Sequence, residues 1–174
     1  MDLKAHIRNV KDFPKPGIMF RDITTLLKNP IAFNYTLNQL LNFTNGKKIN
    51  KVIGIESRGF IFGSVLASKL NCGFIPVRKP GKLPAEKVSI SYSLEYGEDK
   101  LEMHKDAIQP GDKVLVHDDL LATGGTMNAV CQLIEKLGGE IVQVSFIVEL
   151  SFLNGRNKLK SYDVRSIVNY ENED

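Results

Sequence analysis

The sequence predicts an α/β fold, a mostly parallel twisted sheet with helices on both faces. Three observations carry that prediction. Apolar runs at residues 51–55, 73–77, 114–116 and 140–150 read as buried strands. Stretches with helical spacing separate them, which implies parallel pairing through right-handed crossovers. Small polar turns rich in glycine follow the runs at 51–55 and 114–116, and ligands of open α/β sheets gather at the carboxyl ends of strands.

Composition narrows the class. A chain of 174 residues suits one domain, residues 1–174, with a good-sized core. The net charge of +3 is too small to argue for nucleic acid. No apolar run approaches the length of a membrane span. The first residues, MDLKAHIRNV, contain no apolar signal region. Cys72 and Cys131 sit inside apolar patterns, as free buried thiols do in a reducing cytosol. The expected setting is therefore cytoplasmic, with neither nucleic acid nor membrane as partner.

The elements follow in order. Leu3, Ile7 and Val10 have helical spacing, so residues 2–10 are expected to form a short helix with Asp2 as N-cap. Two prolines and Gly17 exclude a regular helix from residues 11–24, and spacing alone describes a loop over a core edge. Residues 30–44 read as a helix, with Pro30 in its first turn and Asn45-Gly46 at its end. The strand at Lys51–Ile55, a helix to about residue 70 and the strand at Gly73–Val77 form a strand–helix–strand unit. Val88, Ile90 and Tyr92 alternate with serines, and Leu101 and Met103 mark a partner strand, which makes a hairpin with Glu95, Tyr96 and Gly97 at its tip. Such a loop is a natural lid. Met127, Val130, Ile134 and Leu137 define the face of a helix stopped by Gly138-Gly139. A last strand is expected near Val164–Tyr170, before an acidic frayed end.

The chemistry concentrates in VLVHDDLLATGGTM, residues 114–127. Asp118 and Asp119 stand where the strand is expected to end. Ala122, Thr123, Gly124, Gly125 and Thr126 then open a helix whose unpaired N–H groups suit a phosphate. Carboxylates repel a phosphate unless they serve another group, so the acids suit sugar hydroxyls or a metal. The stretch reads as a cradle for ribose 5-phosphate, with the acids on the 2- and 3-hydroxyls. The plainer alternative is a strand–helix turn whose acids are helix caps. Arg58, at a helix start, is electrostatically unfavourable without an anion. Arg78, Lys79 and Lys82 form a basic cluster that is either a solvated surface or, beside two anion-binding turns, a clamp for a diphosphate. Neither a dinucleotide G-x-G-x-x-G after a strand nor a G-x-x-x-x-G-K-[ST] loop is present.

VLVHDDLLATGGTM closely resembles the phosphoribosyl-diphosphate (PRPP) motif of type I phosphoribosyltransferases. The DDLLATGGTM form is that of the adenine phosphoribosyltransferases. His117 departs from the usual apolar residue before the acids and is assigned no role. FPKPGIMFRDIT resembles that family's N-terminal signature and implies a hood, about residues 11–25. By resemblance Phe20 stacks on adenine, the backbone at Met19 reads its edge and Arg21 lies beside it. ESRGF resembles the family's pyrophosphate loop, which assigns Ser57 and Arg58 to the diphosphate. That loop often holds a non-proline cis peptide, here expected at Glu56–Ser57. The family match extends the diphosphate assignment to Arg78, Lys79 and Lys82.

LEYG resembles the family's catalytic flap, about residues 85–109. It implies that Glu95 approaches the base as general acid/base and that Tyr96 covers the diphosphate. His104 falls where the family has a polar residue able to reach the diphosphate or its metal. Glu95 read without the resemblance is an ordinary hairpin-tip carboxylate, and His104 an ordinary structural histidine. Glu149-Leu150 resembles the family's VEL, near a subunit contact. The implied reaction is adenine plus PRPP giving AMP and diphosphate, as in purine salvage, with Glu95, Asp118 and Asp119 as catalytic residues. The implied cofactor is Mg2+, held mainly by PRPP and water, and the implied assembly is a homodimer. Two alternatives stay open: transfer to another base, and a non-catalytic PRPP-sensing regulator on the same fold.

Overall fold

The computed structural model describes residues 1–93 and 98–173. It begins with a 3-10 turn at Lys4–His6 and an antiparallel hairpin, β1 (Arg8–Lys11) and β2 (Met19–Asp22). The helix expected over residues 2–10 is therefore absent. Leu3 and Ile7 are both buried, but strand pairing from Arg8 onward overrides the helical spacing. Asp22 locks the hairpin by accepting from Arg8 Nε at 3.0 Å and Nη2 at 2.5 Å. Burial would raise the Asp22 carboxyl, but the Thr24 amide and the Arg8 guanidinium outweigh it and hold it down at about 2.

The chain continues through α1 (Thr24–Leu27), α2 (Pro30–Phe43), β3 (Lys51–Ile55), α3 (Gly59–Lys69) and β4 (Gly73–Val77). An antiparallel hairpin follows, β5 (Lys87–Ser93) and β6 (Glu98–His104). The rest is β7 (Lys113–Leu121), α4 (Gly125–Lys136), β8 (Glu140–Leu150), two 3-10 turns over residues 151–159 and β9 (Val164–Tyr170). Asn29 caps α2 by accepting from the amides of Ile31 and Ala32, with Pro30 as its first residue.

Strands β3, β4, β7, β8 and β9 form one parallel sheet in the order β4-β3-β7-β8-β9. Alternation along its strands serves two cores. Val52 and Leu115 face α2 and α3, where they meet Leu40, Phe62 and Leu66. Ile53, Val114 and Val116 face α4 and the β5–β6 hairpin, where they meet Leu101, Val130 and Ile134. Burial on both faces explains why these strands read as continuous apolar runs. The predicted fold class is the observed one.

Candidate active site

A cavity of about 360 Å³ opens at the carboxyl ends of β3 and β7. Residues 56–58 form one wall, and residues 118–127 form the floor and the far wall. The acids do not follow β7, as expected, but lie within it. The strand runs on to Leu121 because its pairing with β8 extends as far as Glu149. Gly124 then turns the chain in the left-handed region, φ 77°, and no side chain caps α4 behind it. Residues Ala122, Thr123, Gly124, Gly125 and Thr126 all line the cavity, so uncapped helix N–H groups meet the space beside the acids.

Asp118 Oδ1 accepts from the Asp119 amide at 2.9 Å. Gly59 allows this arrangement, since a Cβ there would come within 2.9 Å of the same oxygen. Arg58 Nε lies 2.9 Å from Asp119 Oδ2. The positive charge at the start of α3 is thus answered from within the protein. Burial first, and then the charge of Asp119, push the Asp118 carboxyl well above the ordinary carboxylate range. Burial also raises Asp119, but the Arg58 guanidinium pulls it back. Of the two carboxyls, Asp118 is thus the one whose charged form is disfavoured more, and Asp119 the one Arg58 helps to keep charged.

The peptide between Glu56 and Ser57 is cis. Glu56 accepts from Arg78 Nη2 at 3.0 Å and Nε at 3.2 Å, and from the Lys79 amide at 2.9 Å. The Arg78 hydrogen bonds hold the Glu56 carboxyl below its ordinary range. Arg78 Nη1 also donates to the Lys82 carbonyl at 3.2 Å. Of the three cations expected around a diphosphate, Lys79 lines the cavity, while Arg78 and Lys82 are not among its lining residues. The fork of Arg78 is engaged in joining the two loops. Ser57 and Arg58 line the cavity.

The β5–β6 hairpin supplies Tyr92 and Asp99 to the cavity. Asp99 Oδ2 contacts Lys79 Nζ and accepts from the Tyr92 hydroxyl at 3.1 Å. The Tyr92 hydroxyl in turn accepts from Thr126 Oγ1 at 3.3 Å. A chain of four side chains thus joins the basic loop to the start of α4. His104 stands away from the cavity, half-buried and in register with Lys87, five residues along β6 from Asp99. Glu95 and Tyr96 lie outside the described residues.

On the hood, the Arg58 guanidinium carbon sits 5.0 Å from the centroid of the Phe20 ring, and Phe13 meets the same ring edge-on at 5.1 Å. Met19 is half-buried beside it on β2. Arg21, expected beside the base, turns its side chain the other way. Its guanidinium stacks 4.0 Å over Tyr170 and donates to the Glu173 carbonyl at 2.7 Å. Successive side chains on a strand point to opposite faces, so Phe20 and Arg21 cannot both face the cavity.

Residues 24–173 match the model of the phosphoribosyl transferase domain. The chain belongs to the phosphoribosyltransferase family. It is 59% identical over 170 residues to the adenine phosphoribosyltransferase of Flavobacterium johnsoniae, covering 98% of this chain and all of that protein. The adenine phosphoribosyltransferase crystal structure from Thermoanaerobacter pseudethanolicus superposes with a TM-score of 0.95 at 51% identity, over 97% of this chain and 98% of that one. The Saccharomyces cerevisiae adenine phosphoribosyltransferase, solved with adenine and an imino-altritol bisphosphate, gives 0.89 at 39% identity, over 95% and 96%.

Two features of this phosphoribosyltransferase site escaped sequence reasoning. Tyr92 reads as an apolar member of an alternating strand, and Asp99 as one acid in a polar loop. Their adjacency to Lys79 and Thr126 arises from folding alone. Tyr92 stands directly opposite Asp99 on the paired strands, and hairpin register was the one signal able to pair them.

Proposed function

We infer that the chain transfers the phosphoribosyl group of PRPP to adenine, giving AMP and diphosphate. The observation that carries this reading is the placement of Asp118 and Asp119 between an uncapped helix N-terminus and the Arg58–Lys79 wall of one cavity. That spacing offers, in order, sites for a 5-phosphate, the ribose hydroxyls and a diphosphate. The 5-phosphate falls to the amides of residues 122–126 and the hydroxyls of Thr123 and Thr126. Asp118 and Asp119 accept from the ribose hydroxyls and balance positive charge that grows on the sugar as the bond to diphosphate breaks. Ser57, Arg58 and Lys79 stabilise the negative charge that grows on the diphosphate. Arg78 and Lys82 serve that end by holding Lys79 and its loop in place.

Phe20 is the surface for the adenine ring, and Met19 offers a backbone donor and acceptor to its edge. Adenine must lose a proton as its nitrogen attacks the anomeric carbon. Glu95 is the group assigned to that proton by the flap resemblance, and Tyr96 the group assigned to covering the diphosphate. Mg2+ fits the site as a companion of the substrate. Among the described residues no group of three or more His, Cys, Asp or Glu side chains could hold a metal ion, whereas the buried acidic pair suits a hydrated cation. The ion supplies charge neutralisation on the diphosphate.

The same reading extends to a homodimer in the cytoplasm. Phe13 and Ile18 on the hood and Ile31 on α2, each more than 40% exposed, offer apolar surface to a second copy. No helix among the described residues is long and apolar enough to cross a membrane. Incubation with adenine, PRPP and Mg2+, followed by chromatography, tests the reaction. AMP and diphosphate in equal amounts are expected. Tight PRPP binding without any AMP would move the chain to a PRPP-sensing regulator.

A further inference from the structure

The segment after β8 brings its backbone close against the loop that opens α4. Residues 151–159 form two 3-10 turns joined at Asn154, which is itself left-handed with φ 55°. The second turn brings Gly155 against Ala122 and Gly124. A Cβ at Gly155 would overlap the Ala122 carbonyl oxygen and come within 3.0 Å of Leu121 Cδ1 and 3.1 Å of the Gly124 nitrogen. A Cβ at Gly124 would in turn overlap the Gly155 carbonyl. Two glycines on different segments thus exclude side chains from a single contact, and it lies directly behind the loop that opens α4.

What presses Gly155 into place is its neighbour. Arg156 forks onto Glu149, with Nε 2.6 Å from Oε1 and Nη2 2.7 Å from Oε2. Its Nη1 donates to the Val164 carbonyl at 2.9 Å and its Nη2 to Ser166 Oγ at 3.1 Å. Ser166 Oγ donates to Glu149 Oε2 at 2.5 Å. Glu149 is 4% exposed and stands opposite Leu121 on β7, one residue before the loop. Leu159, fully buried in the α4 core, fixes the other end of the turn. A planar bidentate pair restricts direction as well as distance, which a lysine cannot do.

We propose that Gly155, held by the Glu149–Arg156 pair, is a positioning residue for the 5-phosphate of the phosphoribosyl donor. This rests on the phosphoribosyl reading of the cavity. The loop's amides are set by the surface behind them, because no side chain caps α4 and Gly124 adds no side chain of its own. An atom added at Gly155 moves Ala122 and Gly124 toward the cavity and turns the amides off the phosphate. The atoms nearest a Cβ at Gly155 belong to Ala122, Leu121 and Gly124, not to the Arg58–Lys79 wall, so the effect falls first on one end of the donor.

Calorimetric titration with ribose 5-phosphate and, separately, with inorganic diphosphate tests this on the full chain. For Gly155→Ala the expected result is a loss of ribose 5-phosphate affinity of about tenfold or more, with diphosphate affinity within about twofold of the parent. The PRPP KM should rise in step while the adenine KM holds. Arg156→Lys, which keeps the charge and loses the fork, should show the same selective loss at about threefold or more. If Gly155→Ala does not fold, Arg156→Lys decides. Parental ribose 5-phosphate affinity in a folded variant, or equal loss of both ligands, overturns the proposal. Failure of the unmutated chain to bind ribose 5-phosphate at all overturns the phosphoribosyl reading itself, a result no variant can mimic.

Discussion

Arg58 and Asp119 form an ion pair, Nε to Oδ2 at 2.9 Å, across the middle of the cavity. The same guanidinium rests on Phe20 of the hood. One side chain therefore touches both Asp119, proposed for the ribose, and Phe20, proposed for the base, and it acts unequally on the two acids.

That inequality predicts proton release on substrate binding. Asp118, raised by burial and by Asp119, is the carboxyl of the pair that takes up a proton more readily in the empty site. Ribose hydroxyls and a nearby cation favour its charged form, so binding lowers its pKa and expels the proton. Titrations of PRPP with Mg2+ in buffers of differing ionisation enthalpy should show proton release that grows as the pH is lowered. Asp118→Asn should abolish the release and damage turnover. Release that persists in the variant would assign the proton elsewhere.

Glu95→Gln should lower kcat about 100-fold or more, the usual contribution of a positioned general acid/base. PRPP affinity should hold. A loss below about threefold removes Glu95 from that role.

Tyr92→Phe breaks the chain from Lys79 through Asp99 to Thr126. One net hydrogen bond is about 1 kcal/mol, so the PRPP KM should rise about fivefold. Thermal unfolding should shift little, because the phenol lies at the cavity wall. An unchanged KM would make the chain incidental.

His117 predicts a pH dependence of stability. It is fully buried on β7, with Nδ1 3.0 Å from Ser145 Oγ, and burial pushes its pKa down to about 3. The unfolded chain protonates near 6.5 and the folded chain does not. Below that point the unfolded state binds the extra proton, so stability falls with pH until about 3. His117→Val should remove a loss of about 1.4 kcal/mol per pH unit in that window. Denaturant titrations of both proteins at several pH values measure the difference, which isolates His117 from the acids. Parallel profiles would contradict the burial of a neutral imidazole.

Burial on two faces made the fold legible, since each central strand shows as an apolar run and each turn at a strand end shows its polar residues. The hood was less legible. Leu3, Ile7 and Val10 have helical spacing, yet the pairing of Arg8 with Asp22, 14 residues away, decides the structure. In the basic cluster, sequence marks three cations but cannot tell that Glu56 engages Arg78 and leaves Lys79 to the cavity. The placement of Arg21 on Tyr170 joins residues about 150 apart, beyond the reach of any local pattern. Gly155 looks like one more loop glycine until Ala122 and Gly124 are brought against it.

Diphosphate release with PRPP, Mg2+ and each purine base in turn tests the central claim most directly. Release with adenine, and not with hypoxanthine, guanine or xanthine, is the predicted result, and Phe20→Leu should then raise the adenine KM more than the PRPP KM. Release with a different base, or with none, would contradict the account of the hood as an adenine surface.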